Sequence, residues 1–331
     1  MHFRIYLAIL LLLPCVSCGG QENNPFADAA PVQIHRFDKA LFQLIEADDD
    51  PILQNRLLQE YYGMLDVIGK GVLNMQSPET PGFFDRLVNY YSEPALKGLY
   101  RDAITEYDSI NDIEKQLGVG FAYLQAHFPA METPAVYMHV SGLNQNVLAA
   151  ENLLSLSIDK YMGKTYPLYL NFFYDYQRED MQRSHIVPDY LSGWLLSEYP
   201  FTGKENVLLE RMVYEGKIRY LVSHALPETT PAELMGYSEK DYEWCTTHEK
   251  DIWKAIVERK HLYTPDHLTA NKYFEDMPST FLSFDAPGKL GVWIGWQIVT
   301  NYMKETHTTP GELMKQTNAQ EILTASKYKP F

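Results

Sequence analysis

Apolar and polar positions alternate along this chain with two periods, and the longer one dominates. From Asp112 to Phe128 the apolar residues Ile113, Leu117, Phe121, Leu124 and Phe128 recur at helical steps, which places them on one face of a helix. The same pattern predicts helices from Asp38 to Ala47, from Pro51 to Gly69, over 83–91 and 94–107, from Pro188 to Glu198 and from Lys204 to Ala225. Ser238 and Asp241 form a capping start for a helix carrying Tyr242, Cys245, Ile252, Trp253 and Ile256. Leu290 to Met303 is strongly apolar, and Thr309-Pro310 opens a last helix with a cap and a proline at its first position.

In the middle of the chain the period shortens. Ala135–Val140 and Asn152–Ile158 are β-rich runs, and Tyr166–Leu170 offers a further short strand. Residues 32–37 read as a short strand or extended entry. The pattern therefore predicts, for residues 32–331, a single helix-dominated α+β domain with a small antiparallel sheet in its middle.

The first residues follow another logic. Arg4 precedes an unbroken apolar run from Ile5 to Leu13, then Pro14 and Cys15-Val16-Ser17-Cys18-Gly19-Gly20. A positive start, a short apolar core and small residues at the end are the parts of a secretory signal. The run is too short to span a bilayer, which takes about 20 apolar residues in a helix. Ser17 before Cys18 and glycines after it fit a lipoprotein signal spanning 1–17, with Cys18 as the lipidated first residue of the mature protein. Palmitate-type acyl chains on Cys18 would then hold the chain at a membrane. Residues 18–31, polar and without periodicity, read as a flexible tether. Gly20 stands where aspartate would signal inner-membrane retention, which favours the outer membrane.

Composition excludes some function classes. The chain carries 43 acidic against 28 basic residues, a formal charge of −15, with no basic cluster, which argues against nucleic acid as a partner. Of the three cysteines, Cys15 lies in the signal and Cys18 is the lipidation site, so Cys245 has no partner for an internal disulfide and the domain must be held by packing.

Catalytic signatures are lacking. No G-x-S-x-G or G-x-G-x-x-G occurs, and Gly163-Lys164-Thr165 lacks the earlier glycine of a phosphate loop because Ile158 stands there. His248-Glu249 begins like a zinc-protease helix, but Ile252 occupies the position of the second ligand. Glu215-Gly216, on the helix after the sheet and one intervening helix, has the look of the third-ligand helix of such enzymes. The intervening helix has no histidine pair, and only His185 is nearby. A degenerate zincin-like fold without metal is thus an alternative architecture, with His185 and Glu215 as its only metal candidates and no cofactor expected. Glu215, Lys217, Asp285, Lys289, Trp293 and Trp296 are candidates for a groove or partner surface, although an apolar run around the two tryptophans equally suits a core.

The chain resembles the gliding-motility lipoprotein GldB family. The resemblance rests on Ile34-His35-Arg36-Phe37-Asp38, Tyr161-Met162-Gly163, Tyr176-Gln177-Arg178, Met212-Val213-Tyr214-Glu215-Gly216-Lys217, Gly236-Tyr237, and Trp244 with Glu249 and Trp253. Pro287-Gly288-Lys289-x-Gly291-x-Trp293-Ile294-Gly295-Trp296 completes the set. It implies a non-catalytic envelope lipoprotein that supports motility or the type IX secretion machinery through contacts with other envelope proteins. A zincin-like hydrolase, or a lipoprotein binding a peptide, glycan or lipid, are the alternatives.

Overall fold

The sheet is four strands wide in the computed structural model, which describes residues 24–47, 50–75 and 77–330. Cys18 and the signal lie outside the described residues. The chain enters through β1 (Ile34–His35) and builds α1 (Phe37–Glu46), α2 (Pro51–Glu60), α3 (Tyr62–Gly71), α4 (Phe83–Tyr91), α5 (Pro94–Glu106) and α6 (Asn111–His127). Then come β2 (Ala135–His139), β3 (Val147–Ala150) and β4 (Leu153–Ser157). The remainder is helical: α7 (Tyr169–Phe172), α8 (Asp175–Arg178), α9 (Ile186–Glu198), α10 (Leu208–Ala225), α11 (Pro231–Met235) and α12 (Glu239–Glu258). The last four are α13 (His267–Asn271), α14 (Leu290–Thr306), α15 (Pro310–Lys315) and α16 (Ala319–Ser326). A helix-dominated α+β fold with a small central sheet is what the pattern predicts.

The sheet itself needs a correction, because it is mixed. Its order is β1-β2-β4-β3; β1–β2 and β2–β4 are parallel and only β3–β4 is antiparallel. The sequence suggests an antiparallel sheet containing the runs at 135–140 and 152–158. Instead Val147–Ala150 forms an extra strand that reverses the chain once, and the tight turn at Glu151-Asn152 reverses it again. Two reversals return β4 to the direction of β2. Asn152 takes the left-handed conformation (φ 53°), which asparagine tolerates better than most residues. Every residue of β4 is buried, and the helices packed on the sheet include α1 against β2, α3 against β3 and α9 against β3 and β4.

Two other elements differ from the pattern. The helix expected over 51–69 breaks at Tyr61 (φ −133°, ψ 25°), whose ring packs against Phe37 and Tyr137 at 5.6 and 6.3 Å. Tyr166–Leu170 forms a turn and the start of α7 instead of a strand. The Tyr169 hydroxyl donates to the Asp159 carbonyl and accepts from the Met162 backbone N–H, drawing the segment inward.

The segment read as a tether is packed over its described half. Phe26 sits edge-on to Tyr123 (5.9 Å) and near His127 (6.5 Å) on α6, and Val32 donates to the Glu114 carbonyl. The Ala30 backbone crosses α6 at Gly118 so closely that a Cβ there would stand 2.2 Å from the Ala30 oxygen. Glycine at 118 is what lets the chain lie flat on the helix. No helix among the described residues is long and apolar enough to cross a membrane.

Candidate functional site

Four of the candidate residues, Glu215, Lys217, Trp293 and Trp296, lie on two crossing helices, α10 and α14, yet they face different surroundings. The crossing is close because Gly216 meets Gly295: a Cβ on Gly216 would lie 2.2 Å from the Gly295 oxygen, and one on Gly295 would lie 1.8 Å from the Met212 oxygen. Gly216 thus serves helix contact. Trp293 and Trp296 are 2% and 8% exposed and stack edge-on at 6.1 Å, so they fill the core beside this crossing.

At the start of α14, Lys289 adopts a left-handed backbone (φ 56°) and sends its ammonium to Asp276 (3.0 Å) and Asp180 (3.1 Å). Burial works against its charge, but the two carboxylates outweigh burial and hold its pKa above the usual lysine range. Tyr237 donates from its hydroxyl to the Gly288 carbonyl at 2.7 Å, and Tyr176 lines the same small crevice. Sequence stretches far apart, around Tyr176, Gly236-Tyr237 and Pro287-Gly288-Lys289, are therefore joined in one clamp. Asp285, four residues earlier, is exposed beside Phe284, which is itself 88% exposed.

His185 and Glu215 belong to different neighbourhoods. The buried His185 ring has its pKa lowered by burial, opposed by Asp189 and Asp180. Asp189, half-buried, accepts from the Tyr161 hydroxyl at 2.6 Å, and its own pKa is raised by desolvation. Glu215 lies one helical turn from both Arg211 and Arg219. Burial raises its pKa and the two arginines oppose that rise. Among the described residues, no three His, Cys, Asp or Glu side chains come together as a metal cluster. Cys245 is fully buried, and burial pushes its thiol up to about 12, so it packs as a small apolar group.

Lys217 faces a third environment. It is 6% exposed on α10 and donates to the Gln316 carbonyl at 2.5 Å, where α15 ends. It lines a cavity of about 520 Å³ between the α9–α10 loop and the α15–α16 connection.

Sequence reasoning missed an exposed apolar strip. Leu170 (57% exposed), Phe172 (67%) and Tyr174 (69%) project from α7 and the segment after it. Tyr174 stacks on Tyr176 at 5.6 Å, and Tyr176 shares its crevice with Asp276 and Pro278, which flank the exposed Met277. Phe172 also borders an apolar crevice of about 430 Å³ with Leu96, Leu99 and Phe173. The signal was available in the run Leu168-Tyr169-Leu170-Asn171-Phe172-Phe173-Tyr174, too apolar for a loop. Its pattern suits a buried strand as well as a surface, so only the fold distinguishes them.

The family model for gliding motility protein GldB matches residues 21–330 of the chain. No curated protein and no solved structure matches it.

Proposed function

We propose, since the chain belongs to the family of the gliding motility protein GldB, that this gliding-motility-related lipoprotein is a non-catalytic support for motility or type IX secretion machinery. It acts by docking other envelope proteins while a lipid on Cys18 holds it at the outer membrane. The observation that carries the docking role is the exposed strip Leu170, Phe172 and Tyr174, extended by the stacking of Tyr174 on Tyr176 at the edge of a crevice. Exposed apolar side chains grouped around a crevice are costly in a monomer and characteristic of partner contact.

The packed N-terminal segment supports a position close to the membrane. Asn24 follows Cys18 by six residues, and at about 3.5 Å per residue a fully extended link reaches roughly 20 Å. The domain would then rest near the bilayer surface.

Two measurements test this reading. Cys18→Ala is expected to move the protein out of the membrane fraction or leave it as unprocessed precursor; normal processing with unchanged attachment would overturn the anchor. Leu170→Glu together with Phe172→Glu should leave the melting temperature within a few degrees of wild type, since both side chains face solvent. The same variant should lose recovery of motility or secretion subunits from gently solubilised envelopes, because apolar anchors at an interface contribute about 2 kcal/mol or more each. Equal recovery by wild type and variant would remove this strip from the interface.

A further inference from the structure

The cavity beside Lys217 holds a buried cation that forms no ion pair among the described residues. Lys217 lies in the middle of α10 and its ammonium has three N–H donors, of which the Gln316 carbonyl takes one. Among the described residues no carboxylate forms an ion pair with it, and burial alone lowers its pKa, to about 8. Pinning the end of α15 needs a single donor, which any uncharged hydrogen-bonding side chain could supply. Retaining a buried, unpaired charge there is costly unless something else neutralises it.

The walls say what that would be. The α9–α10 loop folds back over α10: Phe201 packs on Tyr214 at 5.0 Å, the Tyr214 hydroxyl donates to the Tyr199 carbonyl at 2.7 Å, and Glu210 accepts from the Lys204 backbone N–H at 2.7 Å. Met314 closes the other side. The result is a pocket of mixed polarity, in which Phe201, Tyr214 and Met314 supply apolar wall and Lys217, Glu198 and Glu210 the charged groups, with no ion pair between Lys217 and either glutamate. Its volume of about 520 Å³ falls among those of small-molecule sites.

We propose that this pocket binds a small apolar monocarboxylate, with the ligand carboxylate on Lys217 and its hydrocarbon part against Phe201, Tyr214 and Met314. The two glutamates disfavour a multiply charged anion and favour a ligand that carries an ammonium as well. Such a group is found in a free amino acid; the C-terminal end of a peptide offers the carboxylate and apolar side chain without it. Binding requires the protonated lysine, so affinity is expected to fall as pH rises above about 8.

The test is calorimetric titration of the purified full-length protein with leucine, N-acetylleucine and inorganic phosphate. Leucine or N-acetylleucine should bind at millimolar concentration or below, and Lys217→Met should weaken either by about tenfold or more, the loss of a charge-assisted hydrogen bond. Lys217→Arg should retain most of the affinity, and it keeps the site testable if the methionine variant fails to fold. Glu198→Gln, a change at an exposed position, should weaken leucine more than N-acetylleucine. Preference for leucine assigns the site to free amino acids, and preference for N-acetylleucine to peptide ends. No binding of either, equal binding by Lys217→Met, or phosphate binding tighter than both would overturn the proposal.

Discussion

Gly295→Ala will destabilise this protein by about 3 kcal/mol, because the added methyl has no room and the atoms it meets cannot yield. Its Cβ would stand 1.8 Å from the Met212 carbonyl oxygen and 2.5 Å from the carbonyl carbon, both fixed in the backbone of α10. A flexible side chain could swing aside; a helical backbone can move only if the whole helix moves. Parting α10 and α14 would loosen contacts of Trp293, Trp296, Ile298 and Val299, all buried on α14. Gly98→Ala on α5 is the control. Nothing lies within 4 Å of a Cβ there, so the better helix propensity of alanine should stabilise by about 0.5–1 kcal/mol. Urea denaturation of the two variants checks both signs. A Gly295→Ala protein within about 1 kcal/mol of wild type would mean that the helices are not held at this distance.

Acid should destabilise the domain through His139, by about 3 kcal/mol between pH 7 and pH 4 for this residue alone. His139 is fully buried on β2. Its Nδ1 is 2.8 Å from the Ser155 hydroxyl, and its Nε2 has no hydrogen-bond partner among the described residues. Burial lowers its pKa from 6.5 to about 3, so the folded state keeps the ring neutral while the unfolded chain protonates it. The stability it contributes is present above pH 6.5 and is lost as pH falls towards 3. Asp38 and Asp159, both buried with pKa values raised by burial, act in the opposite sense and offset part of the loss. The measurement is therefore a difference. In His139→Asn, whose amide reaches the Nδ1 position, the drop in stability from pH 7 to pH 4 should shrink by about 3 kcal/mol, whatever the variant's stability at neutral pH. Identical pH slopes would show that the ring stays charged or solvated in the fold.

Particular residues show where the sequence was legible. The period of Ile113, Leu117, Phe121, Leu124 and Phe128 marked α6, because one buried face is written at fixed spacing. Ser238 marked the start of α12, where its hydroxyl accepts from the Asp241 N–H, and Thr309 the start of α15, because caps act within a few residues. The Tyr61 break left no such trace: a tyrosine fits a helix interior, and only the rings of Phe37 and Tyr137 turn it out of one. Strand direction was equally silent, since pairing between β2 and β4 depends on how often the chain reverses between them. Of the candidate site, Lys289 and Lys217 were named as polar groups near a groove. Their opposite states, one doubly paired and one unpaired, depend on Asp180, Asp276 and Gln316, which lie up to 109 residues away in the chain.

The sequence by itself determined the helix-dominated class, the place of the sheet and the family to which the chain belongs. These are local patterns and ordered motifs, and they need no knowledge of what lies across the core. Tertiary structure alone decided that Gly216 joins two helices, that the segment from Asn24 to Pro31 is laid on α6, that the strip from Leu170 to Tyr174 faces solvent, and that Lys217 sits unpaired beside a cavity. Each of those is a relation between residues distant in sequence, and burial and charge pairing take their energies from neighbours in space, wherever those neighbours stand along the chain.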